Sequence, residues 1–280
     1  MQLQCGSFPL DLDRPVVMGV LNVTPDSFSD GGRFADADAA VAAAERMAAD
    51  GAALVDVGGE STRPGSAPVD EAEELRRVMP VIERLAGRLP IPVSIDTRKP
   101  GVMRRAVEAG ASLVNDVGAL RAPEAIEAVA GSRAAVCLMH MQGEPGTMQD
   151  APQYADVVAE VRDFLRRRVA ACEAAGIGRA RIAVDPGFGF GKTLEHNLAL
   201  LAGLPVIAAD GLPLVVGLSR KRMIGALTGR SDGERLAGSL AAAVVAAQNG
   251  ARIVRAHDVR ETVDALRVVA AAGAMRDNRR

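Results

Sequence analysis

The chain has 280 residues, 49% of them hydrophobic, a formal net charge of −2, six Phe, one Tyr and no Trp. Such a core is built from Ala, Val, Leu and Ile, and the length fits one or two domains. Acids and bases are mixed along the chain, which excludes a broad electrostatic footprint for nucleic acid but leaves room for a local basic cluster that binds a small anion.

Cys5, Cys137 and Cys172 are scattered, odd in number and without metal-ligand spacing. A reducing compartment without disulfides is the expectation. The start, MQLQCGSFPLDL, has no basic segment and no long apolar run, so no signal peptide is expected. No uninterrupted apolar run reaches membrane-spanning length. These features predict a cytoplasmic protein with neither a membrane nor a nucleic acid as partner.

Residues 2–12 read as two extended pieces around Gly6-Ser7, a small hairpin occupying 1–14 ahead of the main fold. A buried strand, Val16–Leu21, then runs into the polar stretch that completes GVLNVTPDSFSDGG, 19–32. A strand-to-helix connection is ordinarily about 2–6 residues. This one is longer and carries Asn22, Asp26, Phe28 and Asp30, so it is either functional or disordered. Further apolar runs follow at 53–57, 92–95, 112–114, 135–139, 181–184, 214–218 and 252–255. Helical patterns lie between and after them, near 37–50, 70–87, 99–109, 123–130, 153–175, 194–203, 234–249 and 259–272. Asp36 or Asp38 can cap the first helix and Asp70 the second, and Gly51, Gly110, Gly176 and Gly250 suit left-handed helix ends. Apolar runs buried on both faces and joined by helices indicate a parallel sheet. Eight strand–helix units in this length point to an α/β fold, a (β/α)8 TIM barrel in one domain spanning 1–280. An open doubly wound sheet is the alternative.

Barrel sites form at the C-terminal ends of the strands. The polar residues met there are Asn22, Gly58 to Arg63, Asp96 to Arg98, Asn115 and Asp116, His140, Asp185, Ser219 to Lys221, and Arg255 leading to His257 and Asp258. Asp96, Asn115 and Asp185 suit the donor-rich edge of a flat nitrogen-containing ring. Ser61, Thr62, Arg63, Ser219, Arg220, Lys221, Arg255 and His257 suit an anion such as phosphate. DPGFGFGKT at 185–193 approaches the phosphate-loop pattern G-x-x-x-x-G-K-[ST]. Position 186 is Pro, however, and the spacing from Gly187 is one residue short, so nucleotide hydrolysis is not expected. Its glycines instead permit a tight turn under a flat ligand. Phe190 is the better candidate for a ligand wall and Phe188 for core packing. His140 and His196 read as structural residues. There is no G-x-S-x-G nucleophile and no His/Cys metal cluster.

GVLNVTPDSFSDGG at 19–32, DVGGESTRPG at 56–65, SIDT at 94–97, ND at 115–116, DPGFGFGKT at 185–193, GLSRKRMIG at 217–225 and RAHDV at 255–259 together resemble dihydropteroate synthase of bacterial folate synthesis. The resemblance spans essentially the whole chain, and several long motifs in one order make it specific. It implies the joining of 6-hydroxymethyl-7,8-dihydropterin diphosphate to 4-aminobenzoate with Mg2+, releasing diphosphate, in a homodimer. On that resemblance Asp96, Asn115, Asp185 and Lys221 would hold the pterin. Thr62, Arg255 and His257 would bind diphosphate, and Asn22 would ligate Mg2+. Phe28, Arg63, Pro64, Phe190 and Ser219 would shape the aminobenzoate pocket, with residues 24–32 as a lid. The other readings are a pterin-dependent methyltransferase, which has no use for the anion groups, and a non-catalytic pterin-binding paralogue.

Overall fold

The computed structural model describes residues 1–24, 32–61, 68–144 and 146–277, with backbone alone at 32–36 and 274–277. Strands β1 (Gln2–Cys5) and β2 (Phe8–Asp11) form an antiparallel hairpin in which Leu3 faces Leu10. The main sheet contains β3 (Val16–Asn22), β4 (Leu54–Gly58), β5 (Val93–Asp96), β6 (Leu113–Asp116), β7 (Ala135–Met139), β8 (Ile182–Asp185), β9 (Val215–Gly217) and β10 (Ile253–Ala256). All its pairings are parallel, in the order β8-β7-β6-β5-β4-β3-β10-β9. A parallel bridge between Val184 and Leu214 brings the two edges together, so the sheet closes on itself as a TIM barrel.

Side chains alternate along each strand, and this divides the core in two. One set, including Val17, Val55, Ile95, Val136, Val184 and Val254, faces the helices. The other set faces the axis. At the N-terminal end it comprises Met18, Leu54, Leu113, Ala135, Cys137, Ala183, Val215 and Ile253, packed against Leu3, Cys5, Leu10 and Leu12. The hairpin therefore plugs that end of the barrel. Leu3 and Leu12 are fully buried, and such burial contributes about 1.5–3 kcal/mol per side chain. The polar functions are left to the opposite mouth.

Helices α1 (Gly32–Ala49), α2 (Glu71–Leu85), α3 (Pro100–Glu108), α4 (Ala125–Ala130), α5 (Val157–Ala174), α6 (Leu194–Ala202), α7 (Leu204–Ala208), α8 (Arg222–Thr228), α9 (Leu236–Gln248) and α10 (Val259–Asp277) surround the strands. Asp70 caps α2 as expected, accepting from the Glu73 N–H at 2.7 Å. Gly51, Gly110, Gly176 and Gly250 all adopt positive φ. The expected cap on the first helix is corrected. Because α1 already begins at Gly32, Asp36 and Asp38 lie inside it, and the Asp38 carboxylate pairs with Arg84 of α2 instead. Two short helices, α7 and α8, escaped the sequence pattern, since five to seven residues give too few turns for a helical period to be read.

Candidate active site

The register of the sheet assembles the mouth. Asn22 pairs with Gly58, Gly58 with Asp96, and Asp96 with Asn115, so one rung crosses four strands with its side chains toward the axis. Asp185 on β8 is paired with Met139, and Arg255 on β10 with Gly217. One layer deeper, Asp56 is paired with Ser94.

Arg255 is the centre of this polar interior. Its Nε donates to Asp56 at 2.6 Å and an Nη donates to Asp96 at 2.8 Å. Burial opposes its charge, but Asp56 and Asp96 together hold its pKa above the usual guanidinium range. Burial pushes the Asp96 carboxyl up to about 7; Arg255 opposes that rise, and Asp56 adds to it. Asp56 is fully buried and also accepts from Ser94 Oγ at 2.6 Å and Asn115 Nδ2 at 2.9 Å. The sequence reading did not single it out. Its signal was a carboxylate within the apolar run LVDVG, on the same face as Leu54 and Gly58.

Asp185 is buried, and one of its oxygens accepts from the Gly187 N–H at 2.7 Å. Burial raises its pKa, while the Gly187 N–H and the nearby Lys221 pull it back down. Lys221 is half-buried, donates to the Phe188 carbonyl at 2.6 Å and lies 4.2 Å from the centre of the Phe190 ring. Burial lowers its pKa to about 8, against the attraction of Asp185. Phe190 joins Val117, Met139, Met141 and Met148 in a separate apolar cluster, which forms a wall at the mouth. Phe188 is instead buried in the main core. Asp116 shapes the other part of the wall, accepting from the N–H groups of Gly118 and Leu120 at 2.6 Å each. Those bonds hold Ala119 and Leu120 at φ of 55° and 53° and so orient Val117.

The 186–192 loop is fixed from below. Gly187 and Gly191 have φ of 71° and 63°, and a Cβ built on either would run into the carbonyl oxygen of His140 or Gln142. Lys192, read as part of an incomplete phosphate loop, is buried and aimed inward. Its Nζ donates to the carbonyls of Gly187 at 2.8 Å and Phe190 at 3.0 Å and meets His140 Nδ1 at 3.0 Å. This lysine is a staple of the loop and has no free donor end for a nucleotide. Burial lowers its pKa to about 7. His196 completes a capping box with Thr193 at the start of α6, a structural role as expected.

His140 is also structural. Burial first, and then the Lys192 charge, lower its pKa to about 3 from an ordinary 6.5. The folded state therefore holds a neutral imidazole, while the unfolded chain binds a proton below pH 6.5. The stability His140 contributes is complete above that value and is lost as pH falls toward 3. The non-titrating His140→Gln variant should lose less stability than the parent between pH 7 and pH 4. Denaturant titrations showing a constant difference across that range would count against this.

Ser219 and His257 meet at the mouth, with Oγ to Nδ1 at 3.0 Å, and the His257 N–H donates to the same hydroxyl at 3.2 Å. Arg220 turns outward to the Asp258 carboxylate. The cations expected to form an anion-binding half are thus divided. Lys221 and Arg255 enter the barrel, and Arg220 stays on the rim. Phe28, Thr62, Arg63, Pro64 and most of the expected lid lie outside the described residues. Near that segment, the Glu60 carboxylate accepts from Val69 N–H at 3.4 Å, and Lys99 joins Glu60 to the buried Glu74.

Residues 18–257 match the profile of the family described as pterin binding enzyme. Dihydropteroate synthase of Escherichia coli K12 is 52% identical over 280 residues, covering 100% of this chain and 99% of that protein. The chain belongs to the dihydropteroate synthase family. Among solved structures, Xanthomonas albilineans dihydropteroate synthase with 4-aminobenzoic acid aligns with a TM-score of 0.92 and 56% identity, covering 98% of each chain. The enzyme from the same organism in complex with 7,8-dihydropteroate aligns at 0.89 with 53% identity, covering 98% of this chain and 99% of that one. The family expected from the sequence motifs is therefore the family found. Among the described residues no helix is long and apolar enough to cross a membrane.

Proposed function

We propose that the barrel mouth joins (7,8-dihydropterin-6-yl)methyl diphosphate to 4-aminobenzoate, releasing diphosphate and 7,8-dihydropteroate. The observation that carries this reading is the set of acceptors Asp96, Asn115 and Asp185 facing the axis beside an apolar wall that ends in Phe190 and Lys221. Acceptors on one side and a flat apolar surface on the other suit a ring with a donor-rich edge. Asp96, Asn115, Asp185 and Lys221 hold the pterin. Arg255 and His257, with Thr62, take the diphosphate. Phe190 and Ser219, with Phe28, Arg63 and Pro64, shape the aminobenzoate site.

Negative charge grows on the bridging oxygen as the bond to the pterin methylene breaks, and Arg255 and His257 are suited to stabilise it. Arg255 has two of its nitrogens on carboxylates, so the remaining Nη is the one left for the anion. The methylene left behind is electron-poor, and Asp96 is placed to stabilise it through its charge. The incoming arylamine is a nucleophile in its neutral form, so no dedicated base is required. We assign the order as diphosphate departure first and amine attack second.

Mg2+ is the cofactor proposed. Asn22 Oδ1 would lie 3.9 Å from a Cβ on Gly58, so the missing side chain leaves room beside one hard oxygen donor. That suits a cation held by few protein ligands and the substrate phosphates. Mg2+ bound there would neutralise charge on the departing diphosphate. We also propose a cytoplasmic homodimer, to which the exposed Leu227, Leu236 and Val245 on α8 and α9 would contribute apolar contact.

The test is formation of dihydropteroate from the two substrates with Mg2+, with sedimentation of the same preparation reading its mass. Tight pterin binding with no product would favour a non-catalytic paralogue.

A further inference from the structure

Asp56 is fully buried and receives three donors. Ser94 Oγ binds one of its oxygens at 2.6 Å, while Asn115 Nδ2 at 2.9 Å and Arg255 Nε at 2.6 Å share the other. It lies one layer beneath the rung that carries Asp96 and Asn115. A carboxylate salt-bridged to a guanidinium has only acceptor capacity. The carboxamide of Asn115 therefore has one orientation that satisfies it. Nitrogen must face Asp56, because the flipped amide would set oxygen against oxygen and lose a hydrogen bond in a buried site. With the nitrogen committed, Oδ1 is the end of Asn115 left for a ligand.

We infer that Asp56 is a specificity-determining positioning residue: it locks the Asn115 carboxamide with its oxygen toward the mouth, so that the ring site accepts a donor and refuses an acceptor at that point. This rests on the reading that a pterin ring occupies the mouth. An unconstrained asparagine is ambivalent, since a turn of the terminal amide exchanges donor for acceptor and lets either kind of ring edge bind. A buried carboxylate beneath it removes that ambivalence without touching the ligand. Rejection arises because a ring carbonyl placed against Oδ1 leaves two acceptors facing each other in a desolvated place, the kind of mismatch that yields strong discrimination.

The experiment uses the full chain and two flat probes that differ at one edge group: 6-hydroxymethylpterin, and its 2-methoxy counterpart, which keeps the neighbouring ring nitrogen bare and puts an acceptor oxygen in place of the ring amine. Dissociation constants are measured by calorimetry for the parent, Asp56→Ala, Asn115→Ala and the double variant. The parent should prefer the amino ring. In Asp56→Ala the acceptor is gone, Asn115 can turn its oxygen to the freed Arg255 and Ser94 donors, and the preference ratio should fall about tenfold. In the Asn115→Ala background the same substitution should leave the ratio unchanged, because its action passes through Asn115. A ratio unaltered by Asp56→Ala overturns the proposal, as does a shift of equal size in the Asn115→Ala background. A purely structural role would weaken both probes together and leave the ratio where it was. If Asp56→Ala does not fold, Asp56→Leu takes its place; it fills the space and likewise offers no acceptor, so the ratio should fall in the same direction, and no change overturns the assignment. A parent that binds neither probe refutes the pterin reading itself, a result distinct from all of these.

Discussion

Asp185→Asn should weaken binding of the pterin substrate by roughly tenfold to 150-fold, with little loss of stability. One Asp185 oxygen is held by the Gly187 N–H at 2.7 Å, which fixes the carboxylate plane at the top of β8. Asparagine keeps the volume and that one acceptor but replaces the second oxygen with an NH2 group. A ring donor that met a charged acceptor would then meet another donor. A hydrogen bond to a charged group is worth about 1.5–3 kcal/mol, and each 1.4 kcal/mol is about a factor of ten in affinity. Stability should respond differently, because burial already disfavours the charged form of Asp185. A neutral amide removes that desolvation cost along with the attraction of Lys221. Calorimetric titration without aminobenzoate, paired with a thermal melt, separates the two. An unchanged dissociation constant would take Asp185 out of the ring site, and a collapse of the melt would make its role structural.

The barrel was legible because each strand is a short apolar run ending in a polar residue, and the runs recur at strand–helix spacing. The strand-end rule then found Asn22, Asp96, Asn115 and Asp185, which the register does bring to one mouth. It did not find Asp56, because that carboxylate is inside a strand, where an apolar run reads as uniform core. Only inward–outward parity, together with the identity of its neighbours across the sheet, shows that Ser94, Asn115 and Arg255 converge on it. The methionine wall was equally hidden. Met139, Met141 and Met148 come from β7 and the loop after it, and nothing in their spacing reveals that they meet Val117 and Phe190. Sequence composition also overstated the free cations of the anion site. Residue type shows that Arg220, Lys221 and Arg255 are charged but not that Asp258, the Phe188 carbonyl and the Asp56–Asp96 pair already engage them.

That last engagement makes Arg255 the residue on which the polar interior depends, and its removal should produce the largest loss of stability. In Arg255→Met the aliphatic volume is kept, but Asp56 and Asp96 lose their common cation. Breaking a buried pair by deleting one partner costs on the order of 3–5 kcal/mol, because a charge is left without compensation. At roughly 2–4 °C per kcal/mol for a chain in this size range, the melting temperature should fall by about 10 °C. The loss should depend on pH in a definite direction. Burial and Asp56 already raise the Asp96 carboxyl to about 7, and Arg255 opposes them. Without Arg255 its folded pKa climbs further. A carboxyl whose folded pKa exceeds its unfolded one costs stability as pH rises between the two values. The deficit of the variant should therefore be larger at pH 8 than at pH 5. The partner test is Asp56→Asn combined with Arg255→Met. Removing the fully buried anion as well as its cation should restore much of the stability, so the double variant should melt well above Arg255→Met alone. Diphosphate release should stay impaired in both, since neither returns a cation to the mouth. Additive losses in the double variant, or a single-variant cost below about 1 kcal/mol, would mean that the ion pair does not carry the stability assigned to it.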